Sequence, residues 1–183
     1  WFAAGAKLWP EYDPDQARSI LRKVKAVGTE IILQADNAYP YLQQTAELVQ
    51  HMWGEVGFKV AVHLYEAPVL NQKRRDRDFH AESTAGSYRW DPDGWFSRQI
   101  LSSAPSNKIN GSGFKNEKVD TLIAEARQTA DKKKRLELYA AIESIVNEEL
   151  PILYIHHLTA LQAGAMNLKG YQPAISGPCS TRG

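Results

Sequence analysis

The sequence predicts an α/β fold, a mixed sheet with packed helices, on three observations. Strand-like and helix-like segments alternate through the first half of the chain. Most of the helical segments begin at a recognisable start signal, an Asp, Asn or Pro placed just before the apolar period sets in. The composition, 43% hydrophobic and 23% charged over 183 residues, is that of one globular domain of ordinary size, with room for a small appendage.

Residues 1–11 show no period and read as a lead-in. Asp13-Pro14-Asp15-Gln16 then supplies an N-cap, a proline at the first helical position and a capping-box partner. Ala17, Ile20, Leu21 and Val24 follow at the spacing of one buried face, and Gly28 closes the helix. TEIILQA (29–35) is a buried strand. Pro40 opens a second helix with Leu42, Thr45, Val49 and Met52 along one side, stopped by Gly54 or Gly57. FKVAVHLY (58–65) alternates strictly, which makes it a half-buried strand. A short charged helix over 67–77 and a strand within 79–89 complete a strand, helix, strand, helix, strand succession. That is the pattern of a sheet with parallel members.

Residues 102–113, rich in Ser, Asn and Gly, form a surface loop. Asn116 caps a helix whose face is Val119, Leu122, Ile123 and Ala126. Asp131 caps another, with Leu138, Ile142, Ile145 and Glu149 down one side. PILYIHH (151–157) reads as a further strand, and the Gly- and Pro-rich tail beyond Leu168 cannot build a core of its own.

Net charge is +1, so no broad electrostatic case for a nucleic-acid partner exists, and the basic runs at 73–77 and 131–135 read as solvated helix faces. The single cysteine, Cys179, excludes an internal disulfide and any cysteine-based metal cluster. No run of about 18 apolar residues is present. His156 and His157 are strand neighbours that point to opposite faces, a poor pair for one metal. No catalytic residue set, metal motif or cofactor motif is recognisable.

The chemistry centres on SYRWDPDGWF (87–96). One reading copies residues 13–15: Asp91 starts a helix and Phe96 and Ile100 bury. The other places Trp90 and Asp91 at a strand end just before a helix, where open α/β sheets bind ligands. There the indole offers an apolar wall and the carboxylate a partner for an ammonium. The two readings are compatible. Asp91 and Asp93, two residues apart through a proline, are unsuited to face each other as an acid–base pair. Lys73, Arg74 and Arg75 are candidates for an anionic ligand group, with solvent as the alternative.

Taken in order, YDPDQARSIL, IILQA, WGEVGFKVAVHLYE, WDPDGW, the Asn-rich loop, FKNEKVDTLIAEARQTADKKKRLELYAAIESIVNEELPILYI and NLKGYQP resemble the C-terminal part of the extracytoplasmic solute-binding proteins of family 5, the peptide/nickel group that serves ABC transporters. The resemblance covers nearly all of residues 10–173. It implies the second lobe of a periplasmic-binding-protein type II fold. Residues 1–167 would be the C-terminal ligand-binding lobe, and 168–183 a segment returning to a missing N-terminal lobe.

The function implied is capture of a small solute or peptide between two lobes and delivery to an ABC permease in the membrane, without catalysis and without a cofactor. The compartment implied is the periplasm, or the outer face of a Gram-positive membrane. By motif, Trp90 and Asp91 fall in the cleft-facing segment, and Tyr88, Arg89 and Trp95 join them as candidate ligand-binding residues. The commoner form carries a Gly-rich run before Asp-Pro-Asp. Here Tyr88-Arg89-Trp90 stand in its place, and Arg89 would suit an anionic group. Arg74 or Arg75 is the only candidate counterpart of the arginine that clasps a peptide carboxylate in some members. Two alternatives stay open: a ligand-sensing domain of a transcription regulator, which residues upstream of Trp1 would distinguish, and a hydrolase using Asp91 or Asp93.

Overall fold

The computed structural model describes residues 10–86, 91–105 and 111–156. Its centre is β1 (Glu30–Asp36), flanked by β2 (Lys59–Tyr65) and β3 (Ala81–Ser83), both parallel to it in the order β2-β1-β3. Leu33, Gln34 and Ala35 are buried in succession, as expected of a middle strand covered on both faces. Among the described residues the sheet is purely parallel. β2 is an edge strand, which explains why its alternating residues are half-buried at best and Leu64 is open to solvent.

Two parallel connections build this sheet, and their handedness disposes the helices. α2 (Pro40–Val56) packs Leu42 and Ala46 onto the face carrying Leu33 and Ala35. α3 (Ala67–Asp76) returns across the sheet and buries Leu70. Gln34 and Glu82 alternate away from the α2 face, and Arg74 of α3 reaches Glu82, so α3 lies on the other side. Right-handed crossovers in opposite directions require this arrangement.

α1 (Pro14–Lys23) starts as expected, with the Asp13 carboxylate accepting the Gln16 N–H at 2.8 Å. Its buried face is narrower than expected. Leu21 alone is buried, whereas Ile20 and Val24 are 53% and 60% exposed, because among the described residues α1 packs chiefly against one neighbouring helix, α2. The helix also stops earlier, at Lys23. Gly28, at φ +85°, serves the turn into β1 and donates its N–H to the Gly57 carbonyl. Gly57, at φ +120°, ends α2. On α2, Ala46 is buried while Met52 is exposed.

A second apolar cluster is helical. α4 (Asp93–Gln99), α5 (Glu117–Gln128) and α6 (Lys132–Glu149) enclose Phe96, Ile100, Val119, Ile123, Ala126, Tyr139, Ile142 and Val146. Asn116 and Asp131 cap α5 and α6 through their side-chain oxygens. Asn116 Nδ2 also donates to Glu149 at 2.6 Å, tying the start of one helix to the end of the other. The buried stripe of α6 is Tyr139, Ile142 and Val146. Leu138 and Ile145 flank it, and Glu149 is exposed. The helix is rotated from the expected face because Tyr139 stacks on Phe96, with centroids 5.6 Å apart at 16°.

The strand expected at 151–157 does not form over its described residues, 151–156. Leu150 turns the chain in the left-handed region, at φ +46°, and Tyr154 bonds to Trp95 of α4 by its side chain. Residues 106–110 of the expected loop, His157 and the tail from 168 lie outside the described residues. No helix among those described is long and apolar enough to cross a membrane.

Burial sorts two isoleucines that one sequence pattern treats alike. Ile142→Ala is expected to cost about 2–5 kcal/mol in urea denaturation, and Ile20→Ala less than about 0.5 kcal/mol. Equal losses would mean that α1 is packed along its whole apolar face.

Candidate functional site

The chain leaves β1 toward β2 on one side and later reaches β3 on the other. Beyond the carboxyl ends of β1 and β3 the connections therefore diverge, the place where open α/β sheets form ligand crevices. A cavity of about 360 Å³ opens there. Asp36 lines it from the end of β1, Tyr39, Tyr41 and Leu42 from the start of α2, Arg74 from α3, and Thr84, Ala85 and Gly86 from the segment after β3.

Local chemistry places each of these groups. Asp36 Oδ1 accepts the Ala38 N–H at 2.9 Å, shaping the turn from β1 toward Pro40. The Tyr39 and Tyr41 rings sit 5.8 Å apart, inclined at 51°. Burial, then the nearby Tyr39 and Asp36, raise the Tyr41 phenol above its ordinary pKa, so it stays neutral at physiological pH. Ser83 donates its hydroxyl to the Leu42 carbonyl at 3.0 Å, fastening β3 to α2 beside the cavity.

A buried polar network adjoins this wall. Arg74 donates Nε to Glu82 at 2.8 Å, pairs with it again through Nη2, and donates Nη1 to Asn71 at 2.8 Å. Gln34, fully buried, donates to Glu82 at 2.9 Å, and its Oε1 has no hydrogen-bond partner among the described residues. The bond to Glu82 raises the Arg74 pKa further, fixing the guanidinium charge. Lys73 pairs with Asp78 at 2.6 Å, and Arg75 bonds Gln72. Of the three basic residues singled out in the sequence, Arg74 alone lines the cavity, with every nitrogen already engaged.

Asp91 lies at the far end of the same segment. Its carboxylate takes a two-pronged hydrogen bond from Arg135, Nη2 to Oδ1 at 2.9 Å and Nη1 to Oδ2 at 3.0 Å. Oδ1 also accepts the Asp93 N–H at 2.9 Å, so Asp91 does support the start of α4, while Phe96 and Ile100 bury below. Its side chain remains 48% exposed. Asp93 bonds Ser97 and takes Arg127 Nε at 2.8 Å. Each carboxylate thus faces its own arginine rather than the other carboxylate.

Trp95 donates its indole N–H to the Tyr154 hydroxyl at 2.6 Å and lies against Gly86, where an added Cβ would come 2.8 Å from the ring. Neither Trp95 nor Asp91 is among the residues that line the cavity; Gly86, which Trp95 touches, is. Tyr88, Arg89 and Trp90, which join Gly86 to Asp91 along the chain, fall outside the described residues. Asp36, Tyr39 and Tyr41 were not singled out in the sequence, because only the strand order brings the end of β1 beside the end of β3. Among the described residues no group of three or more His, Cys, Asp or Glu side chains is placed to hold a metal ion.

Two measurements probe these pairings. Arg74→Met should destabilise by about 3–5 kcal/mol because it strands the Glu82 charge, and adding Glu82→Leu should recover much of that loss. A double variant no better than the single one would mean that Glu82 is not the partner. For Asp91, the Arg135 hydrogen bonds hold the carboxyl below its ordinary pKa, against a smaller opposing effect of burial. The pairing therefore stabilises fully above the unfolded value of about 3.9 and is lost as pH falls through the depressed folded value. Asp91→Asn should cost roughly 1 kcal/mol near neutral pH, with the gap to wild type closing in acid. A gap that widens in acid would contradict the assignment.

The family model described as "Bacterial extracellular solute-binding proteins, family 5 Middle" matches residues 1–108. The di/tripeptide-binding protein 1 of Pseudomonas aeruginosa (strain UCBPP-PA14) is 33% identical over 161 residues, which is 82% of this chain and 29% of that protein. A dipeptide-binding protein of Pseudomonas aeruginosa (strain PAO1) is 31% identical over 172 residues, 88% of this chain and 31% of that protein. Among solved structures, the dipeptide-binding protein of Pseudoalteromonas sp. SM9913 in complex with Met-Leu superposes with a TM-score of 0.70 at 25% identity, over 79% of this chain and 30% of that one. The chain thus spans less than a third of the length of these relatives. With a matching model over more than half its length, an α/β fold shared with a binding protein and a crevice at the diverging strand ends, this chain belongs to the family 5 bacterial extracellular solute-binding proteins.

Proposed function

We propose that this chain is one jaw of the substrate-binding component of a bacterial ABC importer. The solute is an oligopeptide or a related compound. Residues 1–167 form the jaw, and 168–183 return to a second lobe. The observation that carries this reading is the crevice beyond the carboxyl ends of β1 and β3, on a chain whose relatives are named for binding dipeptides.

Solute enters between the two lobes, touches both and stabilises the closed form, which the permease recognises in the periplasm. Such closure is driven only by the difference in affinity between closed and open states. The residues proposed to contact the solute are Tyr88, Arg89, Trp90, Asp91 and Trp95, which the sequence places in or next to the segment that follows Gly86. The protein binds without turning over its solute, a reading supported by the engagement of Asp91 and Asp93 with separate arginines.

A single jaw makes only half the contacts. Titration calorimetry of this chain with Met-Leu should give a dissociation constant near millimolar or weaker, about −4 kcal/mol, and micromolar binding would contradict the one-jaw reading. In the two-lobed protein, Trp90→Ala should weaken capture by about tenfold or more with a melting temperature within a few degrees of wild type. A large drop in melting temperature with affinity preserved would make Trp90 a packing residue.

A further inference from the structure

The wall that runs from β3 along the crevice is held unevenly. At its start, Ser83 is paired with Ala35 of β1 and fastened by its hydroxyl to the Leu42 carbonyl. Ala85 and Gly86 lie beyond that last pair, and among the described residues neither takes part in a hydrogen bond. What bounds the wall there is one ring. The Trp95 indole fills the space that a side chain on Gly86 would take, its nearest atom 2.8 Å from where a Cβ would stand. The place of that ring therefore sets where the far end of the wall can stand.

Trp95 belongs to α4 and packs against the helical apolar cluster. Apolar contact limits the two torsions of an indole but is indifferent to tilts that keep the same area covered. A hydrogen bond is directional, and here it supplies the missing constraint. Trp95 Nε1–H donates to the Tyr154 hydroxyl at 2.6 Å, with the ring centroids 5.8 Å apart at 54°. Tyr154 comes from the segment after α6, remote in sequence from both Trp95 and Gly86. Leu153 and Ile155 beside it are 54% and 51% exposed, so Tyr154 is placed there for its contact with Trp95 rather than as part of a buried stripe.

Resting on the reading of this crevice as a solute site, we propose that Tyr154 is a positioning residue for it: the hydroxyl aims the Trp95 indole, and the indole sets Gly86 and with it the far end of the crevice wall. Tyr154 does not itself line the cavity, so its effect on a solute passes through Trp95.

Met-Leu titrated into the isotope-labelled chain tests this. In the wild type, saturable shifts of the 84–86 amides and of the Trp95 Nε1–H are expected with one dissociation constant. Tyr154→Phe keeps the ring and removes the acceptor. It should move the Trp95 Nε1–H and the amides of Ala85 and Gly86 while leaving those of β2 in place. It should also weaken Met-Leu by about threefold or more, with a melting temperature within a few degrees of wild type. In a Trp95→Phe background, which has no N–H to hold, Tyr154→Phe should change the affinity no further. An unchanged affinity in Tyr154→Phe, or an equal loss in both backgrounds, would overturn the positioning role while leaving the crevice as a solute site. So would a wild-type indole N–H that stays still while the 84–86 amides titrate, a result that needs no variant to fold. No saturable shift at 84–86 in the wild type would remove the crevice as a site, and the positioning role with it.

Discussion

The parallel pairing of β1 with a strand on each side is the constraint from which the rest follows. A parallel neighbour cannot be reached by a hairpin, so each connection must carry a helix across a face of the sheet. Because such crossovers are right-handed, the β1-to-β2 and β2-to-β3 connections, which run in opposite directions across the sheet, put α2 and α3 on opposite faces. Beyond the carboxyl ends of β1 and β3 the connections must then part. The crevice comes from this chirality, and Asp36, Tyr39, Tyr41 and Arg74 are the side chains that the topology delivers to its wall.

The segment after β3 is braced at both ends by the same device. Before it, Arg74 from α3 holds Glu82. After it, Arg135 from α6 holds Asp91 with a planar fork matched to the carboxylate. Arg135 is itself fixed, donating Nε to the Ala126 carbonyl and lying 5.5 Å over the Tyr139 ring, so the helical cluster sets the position of Asp91. Ion pairs of this kind contribute little net stability compared with well-packed apolar side chains, but a missing partner is costly. They are suited to hold a site segment in one register against two separate apolar clusters.

Much of this fold was legible in the sequence because caps and periods are local. Asp13, Asn116 and Asp131 each announced a helix, and the apolar runs of β1 and β2 announced strands. What was misread depended on distant partners. Ile20 and Val24 have the spacing of a buried face, yet spacing cannot say how wide a neighbour covers it. The α6 stripe shifted to Tyr139 and Val146 because Phe96, far away in sequence, stacks there. The apolar run after Pro151 has strand composition but no strand beside it among the described residues. The site divides the same way. The Asp-Pro-Asp motif drew attention to Asp91, but its arginine lies 44 residues on. Asp36 and Tyr41 became visible only once strand order placed the end of β1 beside that of β3.

The most direct measurement is a crystal structure of the protein with the solute that accompanies it through purification. The account predicts solute density beyond the carboxyl ends of β1 and β3, in contact with Asp36 and Tyr41 and with the segment leading to Asp91. Density at the amino ends of those strands, or on the outer face of the α5–α6 pair with the crevice filled only by water, would contradict it.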